Sequence, residues 1–168
     1  MRSLLLLPIL LAGCDIGGHD GTYLMTLQLK SDSCAPESPA IGQESQAWAS
    51  IYRTGQSVVF EVEGALLVGT GTGNEFEVGY EQGSETSYDG CDRLSTMESL
   101  KIEGTFGNDL GFEGEANSLS RTTSVSCPDD DEQSCERKYD ITAMKIDAAK
   151  DRRPTGSIAW GYSSGGGY

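Results

Sequence analysis

Five cysteines and one histidine are the side chains of this sequence best suited to covalent or metal chemistry. Four of the cysteines are spread through the body of the chain, at Cys34, Cys91, Cys127 and Cys135. No two of them form a CxxC pair, and the only histidine, His19, lies near the N-terminus. Because zinc sites are commonly built from such pairs, the even set of four predicts two disulfide bonds in an oxidising compartment.

Motifs for catalysis are scarce. Ser–His–Asp and Cys–His chemistry needs a histidine in the folded domain, and the position of His19 predicts that it lies in a flexible polar tether. The glycine-rich GTGTGN at 69–74 lies between strand-like segments, so it predicts a hairpin turn instead of a phosphate-binding loop before a helix. We therefore expect a protein that is not an enzyme and holds no cofactor.

An acidic run, CPDDDEQSCE at 127–136, is the strongest candidate for a cation site. Carboxylate oxygens suit Ca²⁺, but the run lacks the alternate ligand positions and the central glycine of an EF-hand loop. We interpret it as a solvated acidic loop and expect no metal. Its carboxylates belong to Asp129, Asp130, Asp131, Glu132 and Glu136.

The N-terminus has the parts of an export signal. Arg2 is followed by an apolar stretch, Ser3–Leu11, that is far shorter than the roughly 20 residues needed to cross a bilayer as a helix. Leu11-Ala12-Gly13-Cys14 then resembles the lipobox of bacterial lipoproteins. That resemblance implies cleavage before Cys14, a diacylglycerol on its thiol and acylation of the new N-terminus. An ordinary secretory signal with an incidental cysteine is the alternative.

The lipobox resemblance implies a cellular location as well as a lipid modification. Residues 1–13 would be the signal peptide, and 14–20 the lipidated cysteine and its tether. Two or more acyl chains hold a protein stably at a membrane without spanning it, so we expect a domain in the periplasm or at the cell surface. Asp15 resembles an inner-membrane retention signal of enteric bacteria, which leaves the choice of inner or outer membrane open.

Charge and composition narrow the class of protein. The formal charge is −14, and removing residues 1–13 takes away Arg2 and no acidic residue, which leaves −15. Such a surface repels nucleic acid and leaves a cationic partner possible. The chain contains 22 glycines and only 5 prolines. This balance is typical of one domain made of many short strands and tight turns.

Segments that alternate between apolar and polar residues predict strands along most of the chain. They are residues 21–30, 46–53, 57–63, 65–71, 76–81, 93–104, 110–120 and 137–147. Short connections predict an all-β fold, a single antiparallel eight-stranded meander β-barrel over 21–147, with a β-sandwich as the alternative. Residues 148–168 predict a polar, glycine-rich tail, and 83–92 a polar loop.

The meander makes a geometric prediction for the cysteines. Every second connection lies at the same end of a meander, so all four should lie at the end opposite the tether. We favour Cys127–Cys135 with Cys34–Cys91. Cys34–Cys135 with Cys91–Cys127 is the rival, because the last strand adjoins the first in a closed barrel.

Gly21-Thr22-Tyr23 at the start of the first strand resembles the Gly-x-Trp motif of the calycins, the lipocalin-like and avidin-like barrels. This resemblance covers roughly residues 21–147 and implies a cup for one small apolar ligand. The aromatic side chains predicted to line the lumen are Tyr23, Trp48, Tyr52, Phe60, Phe76, Tyr80, Phe112 and Tyr139. An eight-stranded barrel is just wide enough for such rings to fill it, and we favour a filled lumen.

Together these observations predict a membrane-anchored lipoprotein of the bacterial cell envelope. Its role would be a non-catalytic binding module for a protein partner or a structural contact in the envelope. A calycin-like carrier of a small apolar ligand is the alternative. The first needs a shaped outer surface, whereas the second needs an unfilled lumen with an open mouth.

Overall fold

The computed structural model describes residues 18–34, 39–107, 110–125 and 133–148. These residues form eight antiparallel strands and no helix. In chain order the strands are β1 Gly21–Asp32, β2 Glu44–Thr54, β3 Ser57–Val62, β4 Ala65–Thr72, β5 Glu75–Tyr88, β6 Cys91–Phe106, β7 Gly111–Val125 and β8 Gln133–Asp147. Each strand pairs with the next, and β8 pairs with β1, which closes the barrel. The predicted eight-stranded meander is confirmed, and the sandwich is excluded.

The two ends of the barrel differ in what the chain places there. At the N-terminal end, Gly18–Asp20 lead into β1, the turns at 55–56 and 73–74 reverse the chain, and β8 ends at Asp147. At the far end lie the connections 33–43 and 63–64 and the turn at 89–90. Strand direction alternates around a meander, so these assignments follow from the pairing alone.

Alternate side chains of every strand point into the barrel and form one core. β1 contributes Tyr23, Met25 and Leu27, each no more than 1% exposed. Residues between them on the same strand are only half-buried, as expected of a sheet with one face solvated. The remaining strands add Ala47, Ala49, Ile51, Val58, Phe60, Val62, Leu67, Phe76, Val78, Leu100, Ile102, Phe106, Phe112, Ala116 and Ile141.

Four strands continue past the barrel at the far end as a projecting sheet made of 81–88, 91–99, 118–125 and 133–137. Within the described residues β4 pairs with β5 no further than Gly79, so the rest of β5 is a sheet edge. The prediction of a polar loop at 83–92 is therefore wrong. On β5 every residue of 81–88 is exposed, and on β6 residues 94–99 are all half-buried. Neither segment has the alternation of buried and exposed side chains that reveals a strand with one buried face.

Two glycines let β6 and β7 approach closely inside the barrel. Gly104 and Gly114 lie directly opposite each other. A Cβ on Gly114 would overlap the carbonyl oxygen of Glu103, and one on Gly104 would lie 3.0 Å from Cζ of Phe76. The missing side chains therefore make the space that the ring of Phe76 occupies.

The substitution Gly114→Ala should lower the free energy of unfolding by roughly 1–3 kcal/mol, the usual cost of overpacking a core. Chemical denaturation measures it. Gly83→Ala is the matched control, because a Cβ there would meet only the Thr96 carbonyl oxygen, at 3.7 Å. Equal unfolding midpoints for the two variants would contradict this account of the β6–β7 contact.

Candidate functional site

The lumen, the first candidate for a binding site, is filled by its own aromatic side chains. The ring of Phe76 lies 4.8 Å from that of Phe106, 4.9 Å from that of Phe60 and 5.2 Å from that of Phe112. Tyr23 adds a fifth ring, 5.8 Å from Phe112. These offset and edge-on contacts stabilise the cluster beyond the apolar area that it buries. A ligand in the lumen would have to displace side chains that are at most 4% exposed.

The predicted ligand-lining residues separate into two groups. Tyr23 and Phe76 belong to the core, and Tyr80 and Tyr139 pack against it while partly buried. Trp48 and Tyr52 do not belong to it, because Ala47, Ala49 and Ile51 take the inner positions of β2. The prediction that these two rings face the lumen is therefore wrong.

The lumen is closed at the N-terminal end by a stack that the sequence reasoning missed. The imidazole of His19 lies flat on the ring of Phe106, with centroids 4.2 Å apart and planes 14° from parallel. Asp20 accepts a hydrogen bond through Oδ1 from the backbone N–H of Arg53, at 2.7 Å. Residues 18–20, predicted to be flexible tether, are thus packed against the barrel. The spacing of Leu100, Ile102 and Phe106 extends the inner face of β6 and was the available signal for Phe106.

The phenol of Tyr23 ties this stack to the core. Its hydroxyl donates to the carbonyl oxygen of His19 at 2.7 Å. Burial, with a smaller contribution from the negative charge of Asp20, raises the pKa of Tyr23 from 10.0 to about 12. Both causes disfavour the phenolate, so the fold holds Tyr23 as a neutral hydrogen-bond donor.

Tyr23→Phe should change how stability depends on alkaline pH. The raised pKa makes the neutral phenol a source of stability that is fully present below pH 10 and lost as pH rises to about 12. The variant should lose about 1 kcal/mol at neutral pH, for the missing hydrogen bond, and fall less steeply between pH 10 and 12. Thermal unfolding across pH 8–12 measures both. Tyr88→Phe, at a half-exposed ring in the projecting sheet, is the control, and parallel profiles for wild type and Tyr23→Phe would refute the assignment.

A disulfide bond joins Cys34, just after β1, to Cys135 of β8. It closes a separation of 101 residues. The pairing that we favoured from the sequence, Cys34–Cys91 with Cys127–Cys135, is therefore wrong, because barrel closure brings β8 next to β1. Cys91 is also disulfide-bonded and only 3% exposed. It is the first residue of β6, and Cys135 lies within β8, so neither belongs to a loop.

Polar contacts surround the Cys34–Cys135 bond. Asp32 accepts from the backbone N–H of Cys34 at 2.7 Å and from Nε of Arg137 at 3.0 Å. The backbone N–H of Ser33 donates to the carbonyl oxygen of Glu136 at 2.9 Å. Asp32, Cys34 and Cys135 lie close enough together to hold a metal ion, but both sulfurs are used in the disulfide and offer no thiolate. The disulfide and these polar contacts hold the end of β1 against β8.

The Cys34–Cys135 bond agrees with the rival pairing from the sequence, which joins Cys91 to Cys127. Cys127 itself lies outside the described residues, so the Cys91–Cys127 bond stays a prediction. Non-reducing proteolysis and mass spectrometry should yield one peptide pair holding Cys91 and Cys127. A pair holding Cys127 and Cys135 would refute both this prediction and the Cys34–Cys135 bond.

A carboxylate-lined groove of about 870 Å³, the outer groove, crosses the outer face of β4 to β8. Its acidic lining consists of Glu75, Glu77, Glu103, Glu113, Glu115 and Asp140. The pairing sets Glu77 opposite Glu103, Glu103 opposite Glu115, and Glu115 opposite Asp140. Cross-strand neighbours of like charge repel, so this row makes a field that favours cationic groups.

Lysines partly neutralise both sides of the carboxylate row. Lys101 contacts Glu77 at 3.2 Å and Glu103 at 3.0 Å, and Lys30 contacts Asp140 at 2.7 Å. The hydrogen bond to Glu103, followed by that to Glu77, raises the pKa of Lys101 above its usual value. The hydrogen bond to Asp140 raises the pKa of Lys30 above its usual value. Both ammonium groups are exposed, so salt should screen these pairs.

Several predicted sites lie outside the described residues. These are Cys14 with its signal peptide, the acidic positions 129–132, and most of the predicted tail, 149–168. Glu136 of the acidic run is described, and it lies in β8, where its carboxylate accepts from Nδ2 of Asn117 at 2.8 Å. Among the residues that are described, no helix is long and apolar enough to cross a membrane.

Comparison with known proteins gives one informative likeness. No known protein family matches the chain. Over 118 residues the chain is 29% identical to a protein of Salmonella phage ST64T named "Decoration protein". The alignment covers 64% of this chain and 88% of the phage protein.

Proposed function

We propose that this chain is a lipid-anchored protein of the bacterial cell envelope whose barrel acts as a non-catalytic binding or structural module. The lipid anchor is inferred from Arg2, the apolar stretch and the LAGC sequence ending at Cys14. The role of the barrel is inferred from its interior. The observation that carries it is the filled lumen, in which Phe60, Phe76 and Phe112 contact one another.

A filled lumen separates this proposal from a carrier of small apolar ligands. Carrier sites are concave pockets that bury most of the ligand against apolar side chains. Here the inner positions hold close-packed rings, and His19 stacks on Phe106 at the N-terminal end. Recognition by the barrel therefore has to use its outer surface.

Two further observations support a binding role for that outer surface. The outer groove presents six carboxylates on a rigid sheet, so a partner with a basic segment would complement it. The phage relative is named as a decoration protein. A role in which one protein decorates another surface suits a barrel whose interior is closed.

One experiment tests both parts of the proposal. The full chain is expressed in a bacterial envelope, extracted in mild detergent and examined by native mass spectrometry beside the Cys14→Ser variant. We expect a wild-type chain that begins at Cys14 and carries the mass of its acyl chains, with no further small molecule retained. The variant should lack the lipid mass and leave the membrane fraction.

The lipid anchor and the filled barrel would be contradicted by different results. A wild-type mass without lipid would refute the anchor and favour the ordinary secretory signal. A stoichiometric small molecule that is retained by wild type and by Cys14→Ser alike would refute the filled barrel and restore the carrier. Val58→Ala, which opens space inside the core, is a useful reference for how much a lumen cavity changes ligand retention.

A further inference from the structure

The outer face of the barrel carries half-buried and exposed apolar side chains beside the point where the chain enters β1. We call this set the apolar rim: Leu24 and Trp48 are half-buried, and Leu110, Met144 and Ile146 are exposed. Leu110 and Met144 are each 59% exposed, and Ile146 is 49% exposed. Scattered single apolar residues on a surface need no explanation, whereas a contiguous set marks an interaction site.

The strand register shows that the apolar rim is contiguous. Met144 on β8 lies opposite Leu24 on β1, which in turn lies opposite Trp48 on β2. On the other side of β8, Met144 lies opposite Gly111, next to Leu110. The carbonyl oxygen of Leu110 accepts from the backbone N–H of Lys145 at 2.6 Å, between Met144 and Ile146.

The start of the described chain is held beside this rim. Nζ of Lys145 donates to the carbonyl oxygen of Gly18 at 3.0 Å. Gly18 is four positions after Cys14, and a fully extended chain advances at most about 3.6 Å per residue. The Cα of Cys14 can therefore lie no more than roughly 15 Å from that of Gly18, so a lipid on Cys14 would keep the N-terminal end close to the bilayer.

Within the described residues the N-terminal end carries charges of both signs. Asp20, Glu75 and Asp147 lie there together with Arg53 and Lys145. Asp20 accepts a backbone hydrogen bond from Arg53, which compensates part of the cost of holding it there. This mixture gives the end no strong attraction to anionic lipid.

We propose that the apolar rim docks on the bilayer that holds the lipid anchor, so that the barrel stands on the membrane on its N-terminal end with its far end outward. This inference rests on the proposed anchoring at Cys14. The occupant is a lipid surface of low charge, since the chain as a whole is strongly acidic.

Tryptophan quenching by brominated lipid tests the docking directly. The full lipidated chain, with Trp48→Phe and Trp160→Phe to remove the two native indoles, is reconstituted in phosphatidylcholine vesicles with or without brominated acyl chains. Ile146→Trp places a probe in the rim. Leu66→Trp is the matched control, at an apolar residue 52% exposed near the far end of β4.

We expect the indole at 146 to emit at shorter wavelength than the one at 66 and to lose most of its emission to brominated lipid, with little loss at 66. Equal, weak quenching at both positions would overturn the docking. A blue-shifted but unquenched probe at 146 would also overturn it, since protein and not lipid would then cover the rim. Flotation of the same samples separates the two proposals. Chains that do not float refute the anchor and the docking together, whereas floating chains with an unquenched probe refute the docking alone.

Discussion

The pairing of the first strand with the last is the constraint on which the rest of the structure depends. β1 and β8 form a ladder from Thr22 opposite Asp147 to Asp32 opposite Arg137. Without it the eight strands would form an open sheet with two long edges and a half-exposed apolar face. The ladder also decides which cysteines meet. Cys34 follows β1, Cys135 lies in β8, and their bond spans 101 residues.

The disulfide reinforces this ladder close to one of its two register shifts. The register shifts between Leu29 and Ser31, near the far end of β1. Asp32, whose side chain is 5% exposed, accepts from Arg137 just beyond that irregularity. On a chain-entropy estimate, a bond closing about 100 residues stabilises the fold by about 4–5 kcal/mol. That is a large share of the 5–15 kcal/mol typical of a domain.

Closure of the barrel also separates a packed interior from the solvated outer face. A closed eight-stranded barrel has room for side chains or for one small ligand, but not for both. Gly104 and Gly114 bring β6 and β7 together, and the ring of Phe76 fills the space. Once the rings of Phe60, Phe106 and Phe112 have joined it, the interior contributes stability. The proposed binding role therefore falls to the outer face.

Much of the fold could be predicted because it depends on local alternation. Tyr23, Met25 and Leu27 alternate with half-buried neighbours, and the same period recurs in most strands. The extension of β5 beyond Glu81 could not be predicted this way, because every residue of 82–88 is exposed. On β2 the large ring of Trp48 was wrongly predicted to face the lumen. The small Ala47 and Ala49 occupy the crowded interior instead.

A candidate site can be predicted when its residues are close in sequence, but not when strand pairing brings them together. Cys14 is recognisable from its immediate neighbours in the sequence. The outer groove depends on Glu103 lying opposite Glu115, twelve residues later, and Asp140 lying opposite Glu115, twenty-five residues later. Register of this kind is fixed by turn geometry and by the whole closed ladder. The sequence therefore shows that the chain is acidic, but it does not show which carboxylates the fold brings together.

The carboxylate row is a feature that the barrel tolerates instead of one that stabilises it. Like charges directly opposite each other on neighbouring strands destabilise a sheet. Lys101 and Lys30 offset part of that cost from either side, but Glu115 lies between two carboxylates, Glu103 and Asp140. A ladder closed by β1 and β8 and secured by a disulfide holds these groups in place against their repulsion. The packed lumen supports the strands beneath the row, so the barrel keeps a concentrated negative charge on its outer face.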